Sequence, residues 1–410
     1  MASFGVYESQ LREGFLGVML RTGVAVFLLG TLAMAVIFFF TPAFSESREV
    51  LLIASVEAYL FIGLVRFASI NLIDERFMKS RVVILGAGAR AVKIASRMRR
   101  RSDRRAFVLL GFIQMEPEED QVSQYGAKLI PYPDQSLLDF CNKKQIDEIV
   151  VASDDRRSAT AKIALPYEEL MECRLSGTGV CEVQNFIERE AGKLDIDLLQ
   201  RSWIVFSDGF TPSIFSTFVK RSFDILASLI LCVLLSPIIV TVAFLLMLSG
   251  KFRGPVLYRQ IRTGKDGKQF VLYKFRTMRV DAEASGAVWA DRNDARATRV
   301  GRLLRKTRID ELPQLYNILK GEMSIVGPRP ERPVFVDYLN QALPFYDQRH
   351  RIKPGLTGWA QLCYPYGASV DDAKEKLQYD LYYLKNQSLL LDLIILFQTI
   401  EVVLLGDGAR

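Results

Sequence analysis

The chain has 410 residues, 50% of them hydrophobic and 24% charged, with a formal net charge of +7. That length leaves room for two or three domains with sizeable cores, and so high a hydrophobic share beside so many charges calls for membrane segments. Five scattered cysteines, Cys141, Cys173, Cys181, Cys232 and Cys363, and one histidine, His350, exclude a zinc site and a disulfide framework. The polar parts therefore belong in a reducing, cytosolic compartment. The positive charge is gathered in runs, which suits anionic lipid surfaces and phosphorylated substrates. No nucleic-acid motif accompanies it.

Residues 22–40 form an uncharged apolar run, long enough to cross a bilayer at about 1.5 Å per residue. A cleaved signal peptide would be shorter, and no small-residue cleavage site follows before Pro42. A second apolar run, 50–73, is interrupted by Glu57 and Arg66, which must face protein or an interface. Arg12 and Arg21 precede the first run and Arg76, Lys79 and Arg81 follow the second, a bias that puts both ends in the cytoplasm. Residues 1–76 are thus predicted to be a membrane anchor of two transmembrane helices.

Residues 81–91 read as a buried strand, a glycine turn and a helix start, with Gly86, Gly88 and Ala91 matching G-x-G-x-x-A. Further strands at 107–113 and 146–152, with helical patterns between them, predict a Rossmann-like parallel sheet within 80–210. An acid to hold a ribose is not clear after the second strand, where Gln114 and Met115 come first and Glu116 precedes Pro117. The turn is either a nucleotide site through Gly86 and Gly88 or a structural or regulatory remnant.

Residues 225–249 carry no charge, and Ser236-Pro237 lies near their centre. Lys220 and Arg221 stand on one flank, Lys251 and Arg253 on the other, so both ends belong on the cytoplasmic side. Proline removes an amide donor and lets a helix break, and Ser236 can satisfy the carbonyls that are freed. A re-entrant helix over 221–249, broken at Ser236 and Pro237 and dipping into one leaflet, is expected in place of a kinked spanning helix. From 251 to 279 there are nine basic residues against the single acid Asp266. Residues 258–264 and 270–279 predict a hairpin around Gly264–Gly267 with aromatics between cations. Its surface suits a headgroup plane or a diphosphate, or is a solvated basic face.

The densest chemistry lies between 305 and 331. Pro313 fits a first helical turn and Gly321 closes the helix that 314–320 would form. Asp310 and Glu311 then stand at its N-terminus, where amides also favour a phosphate; the alternative is a capping Asp before a solvated surface helix. Arg329, between Pro328 and Pro330, is carried on a stiff turn that suits bidentate phosphate binding. His350, among Arg349 and Arg351, reads as a surface or phosphate-side residue rather than a base. Lys353-Pro354-Gly355-Leu356-Thr357-Gly358 is a ligand loop or a plain turn. After Tyr379-Asp380, the apolar 388–405 either lies on the bilayer or completes a core.

Taken together, Tyr258-Arg259-Gln260-x-Arg262, Lys274-Phe275-Arg276-Thr277-Met278, Arg308-x-Asp310-Glu311-Leu312-Pro313-Gln314, Val326-Gly327-Pro328-Arg329-Pro330 and Pro354-Gly355-Leu356-Thr357-Gly358 resemble the bacterial sugar transferase family. These are monotopic phosphoglycosyl transferases that begin polysaccharide assembly on a polyprenyl phosphate. The likeness runs from Phe218 to the C-terminus. Earlier residues resemble the long-form members, where four membrane helices, against two counted here, precede a Rossmann-like domain.

The resemblance implies an α/β membrane protein with a mainly helical catalytic domain over 218–410, on the cytoplasmic face of a bacterial inner membrane. It implies transfer of a sugar phosphate from a UDP-sugar to undecaprenyl phosphate, with Asp310 as nucleophile and UMP as leaving group, as the first membrane step of exopolysaccharide or related glycan assembly. Glu311 would bind magnesium or move a proton. Arg329, with Arg308 and Arg276, would hold phosphate, and Asp380 would join Asp310 and Glu311 around magnesium or serve the structure. The lipid bilayer and a second copy in a homodimer are the remaining partners. Two other classes are a membrane-anchored Rossmann nucleotide-sugar oxidoreductase or epimerase, which needs a Tyr/Lys pair and a clean fingerprint, and a non-catalytic scaffold, which would tolerate loss of Asp310.

Overall fold

The computed structural model describes residues 53, 56–65, 79–97, 107–116, 119–154, 165–199, 201–249, 255–278, 298–364, 367 and 369–405. The chain divides into two compact units, Met1–Leu198 and Leu199–Arg410.

In the first unit, the run 22–40 lies outside the described residues. Of the run 50–73, residues 56–65 are helical, with Leu60, Phe61 and Leu64 exposed. Then follow β1 (Ser80–Leu85), α1 (Ala89–Arg97), β2 (Phe107–Ile113), β3 (Leu129–Ile130), α2 (Leu137–Lys144), β4 (Glu148–Val151), α3 (Tyr167–Leu175), β5 (Gly179–Glu182) and α4 (Val183–Ala191). The strands form one parallel sheet in the order β3-β2-β1-β4-β5, the order of a doubly wound sheet. The continuous apolar run of β1 follows from burial on both faces. Val82 and Ile84 pack with Ile94, Phe186 and Ile187, while Val83 and Leu85 pack with Leu137, Cys141 and Cys173.

The second unit comprises α5 (Arg201–Phe206), α6 (Ile214–Ser249), β6 (Leu257–Thr263), β7 (Gln269–Phe275), α7 (Arg299–Lys306), α8 (Gln314–Lys320), β8 (Ser324–Val326), α9 (Pro333–Ala342), β9 (Gly355–Thr357), α10 (Trp359–Cys363), α11 (Val370–Lys385) and α12 (Leu389–Leu405). Strands β6 and β7 form the predicted hairpin, antiparallel, with Arg259 opposite Tyr273 and Ile261 opposite Val271. The proline-glycine loop becomes β9, which pairs in parallel with β8. A Cβ on Gly355 would strike the backbone of Gly327, so this loop is fixed by a close approach of two chain segments. Helix α12 completes a core through Ile394 and Ile395, which are buried, while Leu389, Leu390 and Ile400 are exposed.

Helix α6 runs for 36 residues, and within it Ile214–Leu248 is long and apolar enough to cross a membrane, with a mean hydropathy of 2.9 in its most apolar 18-residue window. Leu226, Val233, Leu234, Val240 and Phe244 are exposed along it. The sequence predicts a break at Ser236-Pro237, but the helix continues through Pro237. The reason is local. Pro237 brings no N–H to the Val233 carbonyl, and the Ser236 hydroxyl donates to that oxygen at 2.8 Å instead. One turn on, the Thr241 hydroxyl donates to the Pro237 carbonyl at 2.7 Å. Beyond the proline, Val242 and Leu246 pack with Phe275 and Leu304 in a small core.

Candidate active site

Helix α8 has the predicted limits, and Gly321 at φ 89° closes it in the left-handed region that favours glycine. Asp310 and Glu311 lie one turn ahead of it, in the 3-10 turn Ile309–Glu311, which is entered through Arg308 at φ 58°. No side chain caps α8, so the capping explanation of the acidic pair is not realised. Both carboxylates are buried, at 8% and 9% exposure. Glu311 Oε1 accepts from Arg308 Nη1 at 3.3 Å and from Arg329 Nη2 at 3.2 Å. Asp310 Oδ1 is buried with no hydrogen-bond partner.

The two neighbours are therefore electrostatically unlike. Burial, then the charge of Glu311, push the Asp310 carboxyl up to about 6 against the opposing pull of Lys274, Arg308 and Arg329. Burial acts on Glu311 as well, but Arg329, Arg308 and Lys274 together outweigh it and hold that carboxyl below its ordinary value. An oxygen that is ionised at neutral pH, unpartnered and more basic than usual has the chemistry to act as a nucleophile, while its neighbour is an anion held by cations.

Lys274 joins the site, beyond the residues expected from the sequence. Burial first, then Arg262 and Arg329, push its ammonium down to about 8, and it lies 5.6 Å from the Tyr258 ring centroid. Its signal was available in the period-2 pattern of β7. Phe270 and Leu272 are buried on one face, and Lys274 is the next residue on that face.

Arg329 is held from behind. Gly355 N donates to Pro328 O at 2.9 Å, and Arg349 Nη2 donates to Arg329 O at 3.0 Å. Arg349 also pairs with Asp380 at 2.8 Å, and both are buried. Asp380 thus serves as the counterion of Arg349. His350, half-buried beside Tyr346, is pushed down to about 4 by burial and then by Arg349, so it is neutral at physiological pH. Arg276 keeps a buried Nη1 without a hydrogen-bond partner, an open donor of the kind that phosphate takes.

Among the described residues no group of three His, Cys, Asp or Glu side chains is arranged to hold a metal ion. Magnesium asks for less, since one or two carboxylates and substrate phosphates suffice. The unpartnered oxygen of Asp310 beside Glu311 fits that requirement, and Asp380 does not join them.

The hairpin is tied to the site through Asn317, fully buried in α8. Its side chain donates to Val271 O at 2.7 Å and to Glu322 at 2.8 Å, and accepts from Tyr273 N at 3.2 Å. Replacing it with alanine strands a buried carbonyl and amide, which costs on the order of 2–4 kcal/mol. The Asn317→Ala protein is expected to melt several degrees lower in a thermal-shift assay, and an unchanged melting temperature would contradict this linkage.

In the first unit, the glycine turn holds one of the chain's own carboxylates. Ala89 N and Arg90 N donate to Asp154 at 2.6 and 2.7 Å, and a Cβ on Gly88 would collide with that carboxylate. Gly88 thus shapes a turn around Asp154, and Gly86, at φ 114°, leaves room for the Ala152 backbone beside it.

Comparison with known proteins places these features in context. A family model described as bacterial sugar transferase matches residues 215–406. Over 189 residues the chain is 43% identical to an exopolysaccharide production protein of Rhizobium leguminosarum bv. phaseoli, an alignment covering 44% of this chain and 93% of that protein. The chain belongs to the bacterial sugar transferase family. Other members are similar too. A UDP-glucose:undecaprenyl-phosphate glucose-1-phosphate transferase of Caulobacter vibrioides is 36% identical over 236 residues, covering 56% of this chain and 88% of that protein. A UDP-N-acetylgalactosamine-undecaprenyl-phosphate N-acetylgalactosaminephosphotransferase of Aeromonas hydrophila is 44% identical over 241 residues, covering 59% of this chain. The chain spans 56% of the length of that relative. In this sugar transferase family member the matched region begins at the start of α6 and takes in Asp310, Glu311, Arg329 and Lys274.

Proposed function

We propose that the protein is a phosphoglycosyl transferase that moves a sugar phosphate from a UDP-sugar to undecaprenyl phosphate at the cytoplasmic face of the membrane. The observation that carries this reading is the buried, unpartnered oxygen of Asp310 beside an anion already neutralised by two arginines. Asp310 attacks the β-phosphorus, the bond to the bridging oxygen breaks, and UMP departs with that oxygen. The lipid phosphate then attacks the same phosphorus, the bond to Asp310 breaks, and the carboxylate is regenerated with undecaprenyl diphosphate sugar as product. Arg329 and Arg308 stabilise charge on the transferred group, and Lys274 adds a third cation. Magnesium, held through Asp310 and Glu311, would neutralise the diphosphate when bound. Sequence kinship with undecaprenyl-phosphate transferases supports both substrates. The rival oxidoreductase reading has no support, since Asp154 fills the glycine turn it would use. Incubating the full chain in membranes with a panel of UDP-sugars and undecaprenyl phosphate, and measuring UMP, tests the reading. No UMP from any of them would refute it.

A re-entrant seating of α6 is part of the proposal. Its first turns bond to α8 and β8, and Val242 and Leu246 pack on Phe275 and Leu304 of the same unit. Asp224 and Val242 stand about 27 Å apart along a helix of 1.5 Å rise, close to the roughly 30 Å of bilayer hydrocarbon. A straight crossing would therefore part contacts that one globular unit makes together. Single cysteines placed just before Ile225 and just after Ser249 are expected to react with an impermeant thiol reagent from the same side. Labelling from opposite sides would rule out re-entrance.

A further inference from the structure

We infer that the first turns of α6 form a clamp that positions the reacting groups, with Lys220, Arg221 and Asp224 as positioning residues for Asp310, Glu311 and Arg329. The inference rests on the transferase reading above and adds to it a link between the seating of the apolar helix and the geometry of the site.

Three charged side chains on α6 each grip an element that adjoins, in the chain, a segment carrying a site residue. Arg221 donates Nη1 to Ile318 O and Nη2 to Leu319 O, both at 2.7 Å. These carbonyls end α8, where helical partners run out, and a planar guanidinium reaches two of them at once. Asp224, 2% exposed, accepts from Ser324 Oγ at 2.9 Å and from Ile325 N at 3.0 Å, which fixes the start of β8. Lys220 Nζ donates to Val326 O at 3.2 Å and to Tyr383 OH at 3.1 Å, and pairs with Asp392 at 2.6 Å. Tyr383 OH in turn donates to Asp392 at 2.6 Å. Val326 stands three residues before Arg329, and α8 follows directly on the turn that bears Asp310 and Glu311.

A buried ion pair is weak evidence for stability, because desolvation offsets most of the attraction. What such a pair supplies well is a single geometry. Here the Lys220–Asp392 pair fixes the end of β8, the Arg221 fork fixes the end of α8, and all three grips come from the helix that carries the exposed apolar surface.

The test uses the full chain in nanodiscs of anionic phospholipid containing undecaprenyl phosphate. It reads hydrogen exchange over 324–331 together with kcat and KM for the UDP-sugar. Lys220→Met is expected to lower kcat by about a hundredfold, the cost of roughly 1 Å of misplacement, while KM changes by less than about threefold. Exchange over 324–331 should quicken at least about tenfold in that variant, with β6 and β7 unchanged. Lys220→Arg, which keeps the charge, should recover most of both. Tyr383→Phe removes one hydroxyl with little risk to folding and should show the same pattern in smaller measure. A folded Lys220→Met or Tyr383→Phe protein with wild-type exchange over 324–331 and wild-type kcat overturns the clamp. If the wild type released no UMP from any UDP-sugar, the transferase reading would fail by itself, and exchange would still decide the clamp.

Discussion

Asp310→Asn is expected to abolish UMP release while making the protein more resistant to heat. Loss of a covalent nucleophile lowers turnover by at least about a thousandfold. The stability gain follows from linkage. The Asp310 carboxyl titrates near 6 in the fold against an ordinary 3.8, so its neutral form is favoured by folding. That contribution is present below about pH 3.8 and is lost as pH rises through about 6. At neutral pH the buried charge therefore destabilises the fold by on the order of 1–3 kcal/mol, at about 1.4 kcal/mol for each unit of displacement. An asparagine of the same shape carries no such charge. Thermal shift of the two proteins in one detergent checks the sign. An inactive variant that melts lower than wild type would mean that Asp310 is held for structure.

Two replacements of Arg329 should separate its charge from its shape. Arg329→Lys keeps the charge but loses the planar fork, and turnover is expected to fall about a hundredfold with the acid limb of the pH profile in place. Arg329→Gln loses both. Because Arg329 holds the carboxyls of Asp310 and Glu311 down, its removal should also move the acid limb upward. In the wild type the limbs are set by two groups. Activity falls below about pH 6 as Asp310 takes a proton, and above about pH 8 as Lys274 loses one. Measurement of kcat/KM from pH 5 to 9 checks this bell. An acid limb that stays fixed when Arg329 becomes glutamine would show that another group sets it.

Local rules carried much of the fold and about half of the site. Pro313 and Gly321 mark the limits of α8, Gly264–Gly267 marks the hairpin, and apolar runs bounded by turns mark β1, β2 and β4. Each of these is decided within a few residues of chain. The features that local rules left open share the opposite cause. Asp154 fills a turn formed 65 residues earlier, and Asp380 is claimed by Arg349 across α11 and the turn Tyr346–Arg351. No pattern along the chain announces either partner. The helix at Pro237 is a matter of degree: the same Ser236 that could ease a break supplies the bond that keeps the helix going. Lys274 is legible only from its strand face, because a lysine in a basic run otherwise looks like surface.

Intact-mass analysis of the full chain mixed with a UDP-sugar in the absence of lipid phosphate tests the covalent step most directly. A gain of one sugar phosphate is expected, confined on proteolysis to the peptide carrying Asp310, lost on adding undecaprenyl phosphate and absent from Asp310→Asn. Robust UMP release with no adduct on that peptide, or an adduct that persists in Asp310→Asn, would contradict it.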